Sequence, residues 1–162
     1  MKKIILLAFV AFTSFANAQV FKGKGDVKAQ VGASFQKGGT GIHISSDFGI
    51  GENISLGLQS TFLLSTSEGE INDVKFKDRI DFKARFNANI GNVINLDKKL
   101  DIYPGLDLGL KNFGAHLGAR YFFTDGFGVY SEAGIPIAKY NQNDLDFFNN
   151  QFVFNLGACF NL

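Results

Sequence analysis

Residues 80–90 read Ile-Asp-Phe-Lys-Ala-Arg-Phe-Asn-Ala-Asn-Ile, so that Ile80, Phe82, Ala84, Phe86, Ala88 and Ile90 alternate one by one with Asp81, Lys83, Arg85, Asn87 and Asn89. Successive side chains of a strand point to opposite faces, whereas a helix of 3.6 residues per turn would scatter this pattern around its circumference. The segment reads as a strand with one apolar face and one polar, partly charged face.

The same period recurs on both sides of it. Upstream, Val27, Ala29, Val31, Ala33 and Phe35 oppose Lys28, Gln30, Gly32 and Ser34. After the turn cluster at 37–41, Ile42, Ile44, Phe48 and Ile50 oppose His43, Ser45 and Asp47, and then Ile54, Leu56, Leu58, Phe62 and Leu64 oppose Ser55, Gly57, Gln59 and Thr61. Downstream, Leu100, Ile102, Leu106, Leu108 and Leu110 oppose Asp101, Tyr103, Gly105, Asp107 and Gly109. Phe113, Ala115, Leu117, Ala119 and Tyr121 oppose Gly114, His116, Gly118 and Arg120. A seventh run sets Phe127, Val129, Ala133 and Ile135 against Gly128, Tyr130, Glu132 and Gly134, and an eighth carries Phe152, Phe154, Leu156, Ala158, Phe160 and Leu162. Polar stretches at 65–77 and 136–150 separate the third run from the fourth and the seventh from the eighth. Eight strands joined in sequence describe an all-β, up-and-down antiparallel meander, and eight is a number at which such a sheet closes into a barrel.

The first eighteen of the 162 residues differ from the rest. Lys2 and Lys3, an apolar stretch over 4–12, and Ala16 and Ala18 have the order of a secretory signal peptide, which predicts cleavage after Ala18. Its apolar stretch falls short of the roughly 20 residues that span a bilayer as a helix. No later apolar run approaches that length, which excludes a helical membrane protein. The expected organisation is a leader at 1–18, an N-terminal periplasmic linker at 19–25 and the barrel at 26–162. Without Lys2 and Lys3 the charge count changes from 16 − 15 = +1 to 14 − 15 = −1, which gives no electrostatic case for nucleic acid. The one cysteine, Cys159, rules out an intramolecular disulfide and reads as a small filler residue.

Period 2 alone does not say which face lies inside. Ten of the 19 Gly sit on the polar face: Gly32, Gly49, Gly57, Gly105, Gly109, Gly114, Gly118, Gly128, Gly134 and Gly157. An eight-stranded barrel has an interior barely wide enough for side chains, so the Gly-rich face belongs inside and the bulky Phe, Leu, Ile and Val face belongs outside, against lipid. The inner face then holds Lys28, Lys83, Arg85 and Arg120 against Asp47, Asp81, Asp101, Asp107 and Glu132, with His116 among them. Four cations against five anions in a confined space predict an internal ion-pair network rather than an open channel. The two longest connections, 65–77 and 136–150, fall at one end, the asymmetry expected of outer loops against periplasmic turns. The chain has no Trp, so interface aromatics fall to Tyr121, Tyr140, Phe35, Phe113 and Phe127.

With its leader, its repeats such as Leu106-Asp107-Leu108-Gly109-Leu110 and Gly114-Ala115-His116-Leu117-Gly118-Ala119-Arg120-Tyr121, and its alternating last strand, the chain resembles the small eight-stranded outer-membrane proteins typified by OmpX and the barrel half of OmpA. The resemblance implies a bacterial outer-membrane location and a last strand read by the assembly machinery, although the final residue here is Leu162 and the nearest aromatic is Phe160. The expectation is a structural or surface-interaction barrel, monomeric, without cofactor or metal. Weighed against it are a narrow solute pore, a soluble lipocalin-like carrier with the faces reversed, and a lipid-modifying enzyme using His43 with Ser45 or His116 with Glu132. By parity those four side chains face the lumen, out of reach of lipid chains. Asp144 and Asp146 read as solvated loop acids rather than a Ca²⁺ site.

Overall fold

The computed structural model describes residues 20–66, 76–140 and 148–162. Eight strands follow one another: β1 (Val27–Gln36), β2 (Gly39–Gly49), β3 (Ile54–Thr66), β4 (Ile80–Ala88), β5 (Leu100–Gly109), β6 (Asn112–Phe122), β7 (Phe127–Lys139) and β8 (Val153–Asn161). Each pairs antiparallel with its neighbours and β8 pairs with β1, which closes the sheet. One helical turn, α1 (Phe76–Arg79), leads into β4. The leader at 1–18, the centre of the first long connection (67–75) and Asp144 and Asp146 lie outside the described residues.

The faces are distributed as the alternation predicts. Among the described residues eight hydrophobic side chains are buried, against 22 polar or charged ones, while 31 large hydrophobic side chains are exposed. Leu117, at the middle of β6, is 57% exposed and Leu58 66%. In contrast, Lys28 and Arg120 are fully buried and Arg85 is 1% exposed. A protein folded by ordinary core burial would reverse these numbers.

Glycines make the closure possible. Gly32 on β1 and Gly157 on β8 face each other across the closing pair. A Cβ on Gly157 would run into the backbone of Val31 and Gly32, and one on Gly32 into that of Leu156 and Gly157. Elsewhere a missing Cβ makes room for a large neighbour, with the Tyr103 ring against Gly118, the His116 ring against Gly105 and the stem of Arg85 against Gly57.

Several boundaries differ from the sequence reading. β7 does not end before Pro136 but continues to Lys139, and β3 runs to Thr66, so both long connections are shorter than 136–150 and 65–77. Proline lacks the N–H that a ladder requires. Here the register shifts between Phe113 and Gly114, with Phe113 opposite Ala138 and Gly114 opposite Pro136, so Ile137 is an extra residue in a bulge that accommodates the proline. The expected linker at 19–25 is, from Val20 onward, folded against the barrel end, with Val20 and Phe21 buried.

Aromatic side chains gather at both ends of the outer surface. Near the short turns, Tyr121, Phe123, Phe127 and Phe160 form a chain of ring contacts 5.4 to 6.3 Å apart. At the other end Phe62 and Phe76 lie 5.5 Å apart, with the Arg79 guanidinium 4.8 Å over Phe62. Because the seam has no space for side chains, Gly157→Val is expected to prevent closure. The measurement is electrophoretic mobility before and after boiling, in which the variant should lack the distinct unboiled band of a closed barrel.

Candidate functional site: the buried ion network of the lumen

The inner faces of the strands project into one narrow space, and register decides which charges meet there. Arg85, on β4, sits at the centre. Its Nη2 approaches Glu132 Oε2 at 2.5 Å, its Nε lies 3.3 Å from Asp47 Oδ1, and its Nη1 donates to Gln59 Oε1 at 3.3 Å. Arg120, on β6, shares the same aspartate, with Nη1 3.0 Å from Asp47 Oδ2, and its Nη2 donates to Asn89 Oδ1 at 2.8 Å and lies 3.4 Å from Asp101 Oδ2. Tyr103 flanks both guanidinium groups, its ring centroid 4.0 Å from Arg120 Cζ and 5.8 Å from Arg85 Cζ. Its hydroxyl accepts from Gln30 Nε2 at 3.0 Å, and Gln30 Oε1 accepts from Ser45 at 2.7 Å.

The histidines belong to the same network. Arg85 Nη2 lies 3.0 Å from His116 Nε2. The same nitrogen lies 2.8 Å from Asn87 Oδ1, and the other ring nitrogen, Nδ1, is 3.0 Å from Asp107 Oδ1. His43 Nδ1 is 2.8 Å from the Tyr130 hydroxyl and its Nε2 is 3.1 Å from Gln59 Oε1. Both rings lie against network partners, and among the described residues neither ring forms a hydrogen bond to Ser45.

Of the ten residues predicted for the lumen, seven form one continuous network: Asp47, Arg85, Asp101, Asp107, His116, Arg120 and Glu132. The other three stand apart. Lys83 pairs with Asp81 at 3.5 Å towards the end that carries the long connections. Lys28, at the opposite end, is held by Asp26 at 2.5 Å and donates to Asn161 Oδ1 at 2.9 Å. Asp26 was missed from sequence because it precedes the first alternation, although it shares Lys28's parity. Gln30, Gln59, Asn87, Asn89, Tyr103 and Asn155 were also missed as network members, although all lie on the inward parity.

At the long-connection end a cavity of about 30 Å³ is bordered by Gln59, Thr61, Asp81, Lys83, Asp107, Glu132 and Asn155, room for about one water. Above it Phe148 packs with Leu63, and Asn112 Nδ2 donates to Asn149 O and Asn150 Oδ1, both at 2.8 Å. At the other end Val20, Phe122, Tyr130 and Cys159 form an apolar cluster. Among the described residues no group of three His, Cys, Asp or Glu side chains is placed to hold a metal ion.

Removing one partner from a buried ion pair leaves the other uncompensated and costs about 3–5 kcal/mol. Arg85→Met is therefore expected to lower barrel stability by that amount, since Asp47 and Glu132 both lose their shared cation. The double variant Arg85→Met/Glu132→Gln should lose less than the sum of its parts. The check is urea unfolding followed by circular dichroism, because the chain has no Trp to report by fluorescence.

Comparison with solved structures returns a designed protein, described as "De novo design of transmembrane beta-barrels", with a TM-score of 0.54 over 86% of this chain and 97% of that one, at 9% identity. At that identity the likeness concerns fold alone, and the fold is that of a transmembrane-type barrel. Comparison with curated proteins gives no match. A family model described as "Family of unknown function (DUF6646)" matches residues 9–162, nearly the whole chain, and the protein belongs to that family.

Proposed function

We propose that the protein is an integral barrel of the bacterial outer membrane, of the OmpX and OmpA-barrel type, exported by a leader cleaved after Ala18. The observation that carries this reading is the outward apolar face of a fully closed sheet. A chain that turns Leu58, Leu108 and Leu117 outward at 57–66% exposure and buries Arg85 and Arg120 gains stability only where the surroundings are themselves apolar. The aromatic clusters at the two ends fit the girdles of such barrels at the lipid–water boundaries.

The packed lumen favours a structural or surface-interaction role over conduction. The two longest connections leave from one end, and their positions make them the contact sites for an external partner. Both histidine rings are engaged with network side chains, which favours a non-catalytic protein. The alternation of β8, from Phe154 through Phe160, supports recognition by the outer-membrane assembly machinery, and a closed sheet has no edge that needs a second copy.

Three measurements test this. The protein should leave membranes only with detergent, and recovery in a detergent-free soluble fraction would overturn the reading. Leu117→Arg should cost about 2–4 kcal/mol if the middle of β6 faces hydrocarbon, whereas on a water-facing surface the change would stay within about 0.5 kcal/mol. Purified protein in planar bilayers should show no stable conductance steps, and steady ion currents would replace the filled lumen by a pore.

A further inference from the structure

We propose that residues 20–25 are a hinged stopper for the short-turn end of the barrel, able to swing out as a unit while the eight strands stay closed, which opens the lumen as far as Lys28 and Cys159.

What the segment covers is specific. Val20 packs against Phe122, Tyr130 and Cys159, and Phe21 is 1% exposed. The Phe21 and Phe122 ring centroids lie 5.9 and 5.6 Å from Lys28 Nζ, so the lysine ammonium is enclosed by aromatic rings. The far end of the segment is tied to the barrel by two hydrogen bonds, both to the β4–β5 connection. Val20 N–H donates to Lys98 O at 3.0 Å, and Asn92 Nδ2 donates to Phe21 O at 3.1 Å. This gives the β4–β5 connection, long for an inner turn, a use as the seat on which the stopper rests.

The near end is built to pivot. Gly23 and Gly25 both take φ of 87°, the left-handed region open to glycine at little cost. At the barrel side the pivot is anchored to β2, the Asp26 carbonyl accepting from Gly49 N–H at 2.7 Å and Gly25 N–H donating to Gly49 O at 2.9 Å, while Lys22 N–H donates to Asp26 Oδ2 at 3.0 Å. Asp26 therefore stays with Lys28 when the stopper leaves, and no cation is stranded. Release breaks one main-chain bond to β2, from Gly25 N–H to Gly49 O, leaves the pairing of the eight strands with one another intact, and returns the Lys28 ammonium to water, which offsets part of the lost burial of Val20 and Phe21. The hinge does not depend on the membrane placement, because the segment covers the lumen and not the outer face.

Cys159, the one cysteine of the chain, lies directly behind Val20 and reports the motion. Folded protein in detergent is treated with a maleimide, and the closed barrel is monitored by its unboiled gel band. Phe21→Ala and Val20→Ser are expected to label about tenfold faster than wild type or more while keeping that band. In wild type, labelling should rise at urea concentrations below those that abolish the band, a measurement that needs no variant to fold. If Cys159 becomes reactive only in step with loss of the folded band, or if folded variants label no faster than wild type, the stopper is a fixed part of the barrel and the proposal fails.

Discussion

A sheet of eight strands that closes on itself has no unpaired edge and encloses a space only wide enough for side chains. Everything inside must therefore fit against something small. The chain meets this constraint by setting glycine beside its largest inward groups: Gly118 beside Tyr103, Gly105 beside His116 and Gly57 beside Arg85. The same constraint fixes the ion network, because a guanidinium in so narrow a space has to be surrounded by acceptors on several strands. Arg85 and Arg120 converge on one aspartate, Asp47, and each takes a second carboxylate from another strand.

The outer face follows from the same geometry. With the interior occupied by polar side chains, apolar burial inside the barrel is limited to small clusters at the two ends, and the remaining hydrophobic surface points outward. Such a molecule does not depend on a hydrophobic core. Its strands pair around the closed ladder, its lumen charges lie in ion pairs, and its outward apolar face is that of a transmembrane-type barrel.

Face assignment was legible from sequence because the period of a strand is 2 and the alternation is unbroken over most of each strand. All ten lumen residues predicted from parity point inward for that reason. Their pairing was not legible. Neighbouring register sets Arg85 opposite Gly57 and Asp107, yet its carboxylate partners are Asp47 on β2 and Glu132 on β7, reached across the lumen by tilt and side-chain length. The extension of β7 through Pro136 was hidden because proline signals a strand end, and a bulge is visible only once the partner strand is in place. Residues 20–25 carry no period at all. Only the apolar pair Val20-Phe21 beside two glycines hinted that the segment is packed rather than free.

The ion network draws Asp47 from β2, Arg85 from β4, Asp101 and Asp107 from β5, His116 and Arg120 from β6 and Glu132 from β7, with Gln30, Gln59 and Asn155 from β1, β3 and β8 around it. No hairpin contains a complete set. A single hairpin entering a bilayer would carry unmatched charge, and an incomplete barrel would hold two guanidinium groups without their acceptors. The ion pairs of the network are therefore complete only when β2, β4, β5, β6 and β7 have all curved around one lumen, and no local pair of strands can supply them alone.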